Sequence, residues 1–92
     1  MPCHMLLGVF DDKQRQFDPR ETDWNSPVFY NKRIYGLYWF EAVSSLHIPY
    51  SELAWFISYS KEDNYVIQVY LGQDHKQYRF CSGGIWEDWI SL

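Results

Sequence analysis

The residues able to do chemistry are few and scattered. Cys3, Cys81, His4, His47 and His75 are the soft metal ligands of the chain, and no pair of them has the C-x₂₋₄-C or H-x₃₋₅-H spacing of a structural zinc site. The neighbours Cys3 and His4 would point opposite ways from a strand, and His75 stands in the polar turn QDHK. Neither a metal nor another cofactor is expected. A nucleophile would need Cys81 or a serine beside a histidine and an orienting acid, but Cys81 closes the run QYRFC and precedes Ser-Gly-Gly without a G-x-S-x-G elbow. A buried, inert thiol is the expectation for Cys81. The carboxylate pairs Asp11/Asp12, Glu62/Asp63 and Glu87/Asp88 are sequence neighbours at strand ends and turns, where solubility alone calls for them. Ser82-Gly83-Gly84 lacks the lysine and the G-x-x-x-x-G frame of a phosphate loop. No catalytic residue is assigned, and the chain is expected not to be an enzyme.

What the sequence has in excess is ring surface. Phe, Trp and Tyr make up 21% of the 92 residues, with eight Tyr, six Phe and five Trp. Each buried ring removes about 150–250 Å² from water, so a small core does not need so many. Trp and Tyr combine an apolar body with a polar edge and are enriched, with Arg, at binding hot spots. Phe56, Tyr70, Arg79, Trp86 and Trp89 are therefore the candidate partner-binding residues. Core packing is the competing account of the rings, and a sugar- or ring-stacking platform is a third.

Charge and composition narrow the partner. A net charge of −4 disfavours binding to phosphate backbones, which needs a basic patch to release counterions. No apolar run approaches the roughly 20 residues that cross a bilayer, and the longest, IYGLYWF, belongs to a core or an interface. Direct nucleic-acid binding and a membrane role are not expected. With 47% hydrophobic and 22% charged residues the chain should fold as a single domain over residues 1–92, without metal or disulfide. Two cysteines and an N-terminus, MPCHMLLGVFDDK, without a basic leader suggest a reduced, cytoplasmic protein.

The elements that must position these residues centre on a three-strand meander from Leu53 to Cys81: LAWFISYS, NYVIQVYLG and QYRFCS, joined by the turns KEDN and QDHK. Tyr65, Ile67, Val69 and Leu71 share one face of its middle strand, and Val66, Gln68 and Tyr70 the other. Met5 to Phe10 reads as an entering strand, residues 11–27 as a long loop pinned by Phe17 and Trp24, and Val28 to Tyr30 as a short strand. Ile34, Leu37, Phe40, Val43 and Leu46 recur every three residues, which predicts a helix from about Tyr35 to Leu46, ended by Pro49. Ser51 would cap a further helical turn. Trp86 and Trp89 would share one face of a short C-terminal helical segment. The fold class expected is α+β: an antiparallel sheet of four or five strands, its Ile67/Val69/Leu71 face under one main helix. The reverse face would then display Phe56, Val66, Gln68, Tyr70 and Arg79.

These features together suggest a small acidic protein that acts by stoichiometric binding to a protein partner, as an adaptor, immunity protein or phage-type inhibitor does, with a homodimer also compatible. Two alternatives are a small-ligand- or sugar-binding domain with an aromatic pocket and an acidic decoy of a nucleic-acid-binding site. The decoy needs a continuous acidic face, whereas twelve acids here are interleaved with eight bases.

Overall fold

A computed structural model describes residues 8–13 and 15–92. Cys3, His4 and the first part of the expected strand Met5–Phe10 lie outside the described residues. One antiparallel sheet holds β1 (Gly8–Phe10), β2 (Gln16–Phe17), β3 (Arg33–Phe40), β4 (Glu52–Glu62), β5 (Tyr65–Gly72), β6 (Lys76–Ser82), β7 (Ile85–Trp86) and β8 (Ile90–Ser91). Its order is β2-β1-β3-β4-β5-β6, with β7 and β8 end to end along the free edge of β6, β7 against Cys81–Ser82 and β8 against Gln77–Tyr78. The meander stands where the alternation of residues 53–81 places it. Its first turn closes on Asn64, whose left-handed backbone (φ 68°) asparagine tolerates better than most residues.

The architecture is all-β, which corrects the α+β expectation. Among the described residues the helical pieces are single 3₁₀ turns at Pro19–Glu21, Pro27–Phe29 and Ser44–Leu46. The helix expected over Tyr35 to Leu46 is replaced by β3 and a turn. RIYGLYWF is rich in β-branched and aromatic residues, and its eight-residue ladder with β4, from Arg33↔Tyr59 to Phe40↔Glu52, buries Ile34 and Phe40 at period two. A short amphipathic helix offers no comparable long-range pairing. Gly36 fits this role because a Cβ there would sit 1.9 Å from the Gly8 carbonyl oxygen and prevent β1 from pairing with β3.

Other expected elements change for local reasons. The strand expected at Val28–Tyr30 gives way to the 3₁₀ turn that Pro27 opens, with Ser26 Oγ accepting from the Val28 N–H at 3.1 Å. Ser51 caps no helix; its Oγ accepts from the Ala42 N–H at 2.8 Å, one residue before β4 begins. The C-terminal IWEDWISL is extended rather than helical, because the unpaired edge of β6 gives its backbone a ladder: Trp86 opposite Cys81, Ile90 opposite Tyr78, with residues 87–89 arching between.

With no helix to cover it, one face of the sheet is roofed by loops. The segment 17–30 lies over the face carrying Val9, Ile34, Phe40, Ala54, Phe56, Val66, Tyr70 and Cys81, and Val43, Leu46, Ile48, Tyr50, Trp86 and Trp89 fill its margins. Trp24 is the keystone of that roof. It is fully buried, with ring centroids 4.2 Å from Phe56, 5.4 Å from Phe40, 6.1 Å from Trp89 and 6.3 Å from Tyr70. Its indole Nε1 donates to the Pro19 carbonyl and its backbone N–H to the Leu46 carbonyl, so the turns at Pro19–Glu21 and Ser44–Leu46 are both tied to this residue. The expected solvated loop of residues 11–27 is thus the covering layer. The covered face is also the reverse of the one expected: Phe56, Val66, Gln68, Tyr70 and Arg79 face inward, and Ile67, Val69 and Leu71 face out.

Candidate functional site

Among the described residues no layer covers the outward face of the sheet. Register aligns its side chains in rows across the strands: Arg33-Tyr59-Ile67-Phe80, Tyr35-Ile57-Val69-Tyr78 and Leu37-Trp55-Leu71-Lys76. Phe10 and Ile90 extend the middle row at its two ends. Tyr35, Trp39, Trp55, Tyr59, Tyr65 and Phe80 are each between 42% and 53% exposed. Monomeric proteins rarely leave an apolar surface of this breadth bare. Between Tyr35, Trp55, Ile57 and Tyr59 the surface dips into an apolar hollow of about 380 Å³. The three rows contain no acid, although the chain has twelve; their charges are Arg33, whose guanidinium lies 5.7 Å from the Tyr59 ring centroid, and Lys76.

The five residues singled out from sequence lie on the other side. Phe56 and Tyr70 are fully buried around Trp24. Arg79, Trp86 and Trp89 come together: the Arg79 guanidinium carbon sits 4.1 Å from the Trp86 ring centroid and 4.7 Å from that of Trp89, the stacked geometry of a cation–π pair. Arg79 is 3% exposed. Its cross-strand partner Gln68 accepts from Nε (3.1 Å) and Nη2 (2.8 Å) on one oxygen and donates through Nε2 to the Trp24 carbonyl at 2.8 Å. Among the described residues no carboxylate lies within ion-pair distance of Arg79. Burial pushes the guanidinium pKa down to about 10, against the opposing field of Asp23, so the group stays charged at neutral pH.

A cleft of about 490 Å³ opens over Arg79, between the turn carrying His47, Ile48 and Pro49 and the arch of Glu87, Asp88 and Trp89. His47, in a left-handed conformation, places Nδ1 2.7 Å from Asp23 Oδ1. Near the turn between β5 and β6 a second polar knot surrounds the buried Glu52, whose carboxylate accepts from Tyr70 Oη (2.9 Å) and the Asp74 N–H (2.7 Å) and lies 3.0 Å from His75 Nδ1. His75 stacks flat on Tyr50, with centroids 3.5 Å apart. Burial alone would raise the Glu52 carboxyl, but these hydrogen bonds outweigh it and hold the group below its ordinary range. Gly72 makes room for this knot, since a Cβ there would fall 2.5 Å from the Glu52 carboxyl carbon. Cys81 is buried, its thiol raised by burial and 3.4 Å from the Asn64 carbonyl, with no histidine among the described residues in hydrogen-bond contact. Among the described residues no group of three or more His, Cys, Asp and Glu is placed to hold a metal, and no helix is long and apolar enough to cross a membrane.

Sequence reasoning passed over the outward residues Tyr35, Trp39, Trp55, Tyr59, Tyr65 and Phe80. The signal that separates the faces is side-chain volume rather than hydrophobicity. Gly36, Ala54, Ser58, Ser60 and Gly72 all fall on the inward face, leaving space for a roof as bulky as Trp24. Family models, curated proteins and solved structures were compared with the chain, and none matches it.

Proposed function

We propose that this chain acts by stoichiometric binding to a protein partner that lies across the outward face of the sheet. The observation that carries this is the unroofed ladder of half-exposed rings, with an apolar hollow at its centre. Six rings at about half exposure, at about 150–250 Å² each, with the Ile, Val and Leu between them, approach the roughly 800 Å² per partner of a standard protein interface. The hollow suits a single anchoring apolar side chain of the partner. Charge narrows the partner further. Arg33 and Lys76 stand at the ends of the rows, which themselves hold no acid, so the complementary surface is apolar with carboxylates opposite those two positions, while Glu41 beside Trp39 and Glu62 opposite Tyr65 border the patch elsewhere. The same absence of acids removes support for a decoy acting through this face. A small-ligand role keeps support from one observation, the Arg79 cleft.

The test compares the wild type with a Tyr35→Ser/Trp55→Ser variant in capture from the native host, with quantitation of bound proteins and light scattering of the free chain. One partner at 1:1 stoichiometry, lost at least about tenfold by a variant whose melt is unchanged, is the expected result. Equal retention by both forms would overturn the proposal, as would a wild type that stays monomeric and retains nothing.

A further inference from the structure

The Arg79 cleft lies on the roofed side of the molecule and is independent of the outward face. Two of the three guanidinium nitrogens are committed to Gln68. The third, Nη1, has no acceptor among the described residues, yet it is not one of the enclosed atoms left without a partner. With Arg79 lining the cleft, Nη1 is the part of the group left to face it. A buried cation with a free donor edge, packed on two indoles and fixed by a cross-strand glutamine, is preorganised to receive an oxygen acceptor.

The surroundings select among acceptors. Glu87 and Asp88 line the same cleft, and Asp23 is close enough to act on the Arg79 charge. A simple anion would therefore meet one guanidinium and, on the cleft wall, the two carboxylates of Glu87 and Asp88, which offset its attraction. Glu87 has one oxygen engaged by the Phe80 N–H at 3.0 Å, while Asp88 has no hydrogen-bonding partner among the described residues and is exposed at the mouth. An added positive charge is what that rim lacks. Of the remaining walls, Ala42, Ile48, Pro49 and the Trp89 ring are apolar, and Ser44 and His47 are polar.

We infer that the cleft binds a small zwitterion of the α-amino-acid class with an apolar side chain. Its carboxylate takes the free edge of Arg79, its ammonium group faces Asp88 and Glu87, and its side chain lies against Ile48, Pro49 and Trp89. The cleft volume is within the range of small-ligand sites. Neither charge of the ligand is sufficient alone, because each cancels a different part of the field.

The indole N–H resonances of Trp86 and Trp89 report on this site directly. Titration with leucine or phenylalanine is expected to shift them with a millimolar or tighter Kd, while leucine amide, which lacks the carboxylate, and N-acetyl-leucine, which lacks the ammonium, bind at least about tenfold more weakly. Asp88→Asn, at an exposed position, is expected to weaken leucine binding at least about tenfold with no change in melting temperature. Arg79→Gln should abolish it. Should that variant fail to fold, the ligand series and Asp88→Asn decide the matter without it. No response to either amino acid at about 10 mM, or N-acetyl-leucine or acetate binding as well as leucine, would overturn the inference, the latter by showing a bare anion site.

Discussion

Along β4 the inward side chains are Glu52, Ala54, Phe56, Ser58 and Ser60, all buried, and the outward ones are Leu53, Trp55, Ile57 and Tyr59, all at least partly exposed. The buried set is the more polar of the two. The same inversion runs through β5 and β6, where Gln68, Gln77 and Arg79 face inward while Ile67, Val69, Leu71 and Phe80 face out. On the inward face most polar groups are tied: Gln68 to Arg79 and Trp24, Glu52 to Tyr70, Asp74 and His75, Ser60 to the Glu62 and Tyr65 carbonyls. Tied polar groups fix one arrangement of loops over a sheet, which a helix would otherwise do with apolar contacts. The outward face needs no such specification until something covers it. On the proposal above, a partner supplies the second layer that this sheet, apolar on both sides and roofed on one among the described residues, does not carry itself.

That contrast breaks first, and most severely, at Trp24. Its replacement by Ala removes the side chain that packs on four rings and donates to the Pro19 carbonyl. The expected loss is about 3–5 kcal/mol, enough to unfold so small a domain or leave it marginal. Chemical denaturation with tryptophan and far-ultraviolet readouts measures it. A loss below about 1 kcal/mol would mean that the loops are not the roof of the core.

The meander was legible from alternation alone, because strand period and polar turns are local signals. The choice of face was not. Both sides of β5 are apolar enough to be core, and the deciding residues, Gly36, Ala54, Ser58 and Gly72, are informative only when strands are already in register. The false helix over 35–46 came from a three-residue repeat that a strand and a following turn can mimic, since Ile34 and Phe40 are inward at either period. Of the partner-binding candidates, the sequence brought Arg79 and the two tryptophans to notice through residue type, and the fold gathers them around one guanidinium. Phe56 and Tyr70 were of the same types, but their strand faces turn them inward.

A second effect, smaller and dependent on pH, separates the inward polar groups from mere filler. Glu52 is held ionised in the fold below its ordinary value of 4.5, so it stabilises the protein above that value and the contribution is lost as pH falls through the lower folded pKa. Wild-type stability should therefore drop between about pH 5 and pH 3. Glu52→Gln should lower stability at pH 7 by about 1–3 kcal/mol, the range for a hydrogen bond to a charged group, and should flatten this acid limb. Melts of both proteins across that range test the claim. Parallel acid limbs would show that another carboxylate governs it.

The smallest expected effect is at Trp55, and it is the sharpest test of the contrast because Trp55 is a sequence neighbour of buried Ala54 and Phe56 on the same strand. Trp55→Thr keeps a β-branched residue in β4, so the strand itself is not penalised. No described residue roofs the ring, and its cross-strand partners Leu37 and Leu71 remain to pack against each other's flanks. Stability of the isolated chain should change by no more than about 0.5 kcal/mol, a shift within about 4 °C in melting temperature for a domain of this size. The same substitution removes a wall of the central hollow and so should weaken partner binding by about 2 kcal/mol or more. A destabilisation of the free monomer approaching that of Trp24→Ala would place Trp55 in a core of its own and close the outward face as a binding surface. If the loss instead depends on protein concentration, the chain itself supplies the missing layer, and the partner is a second copy.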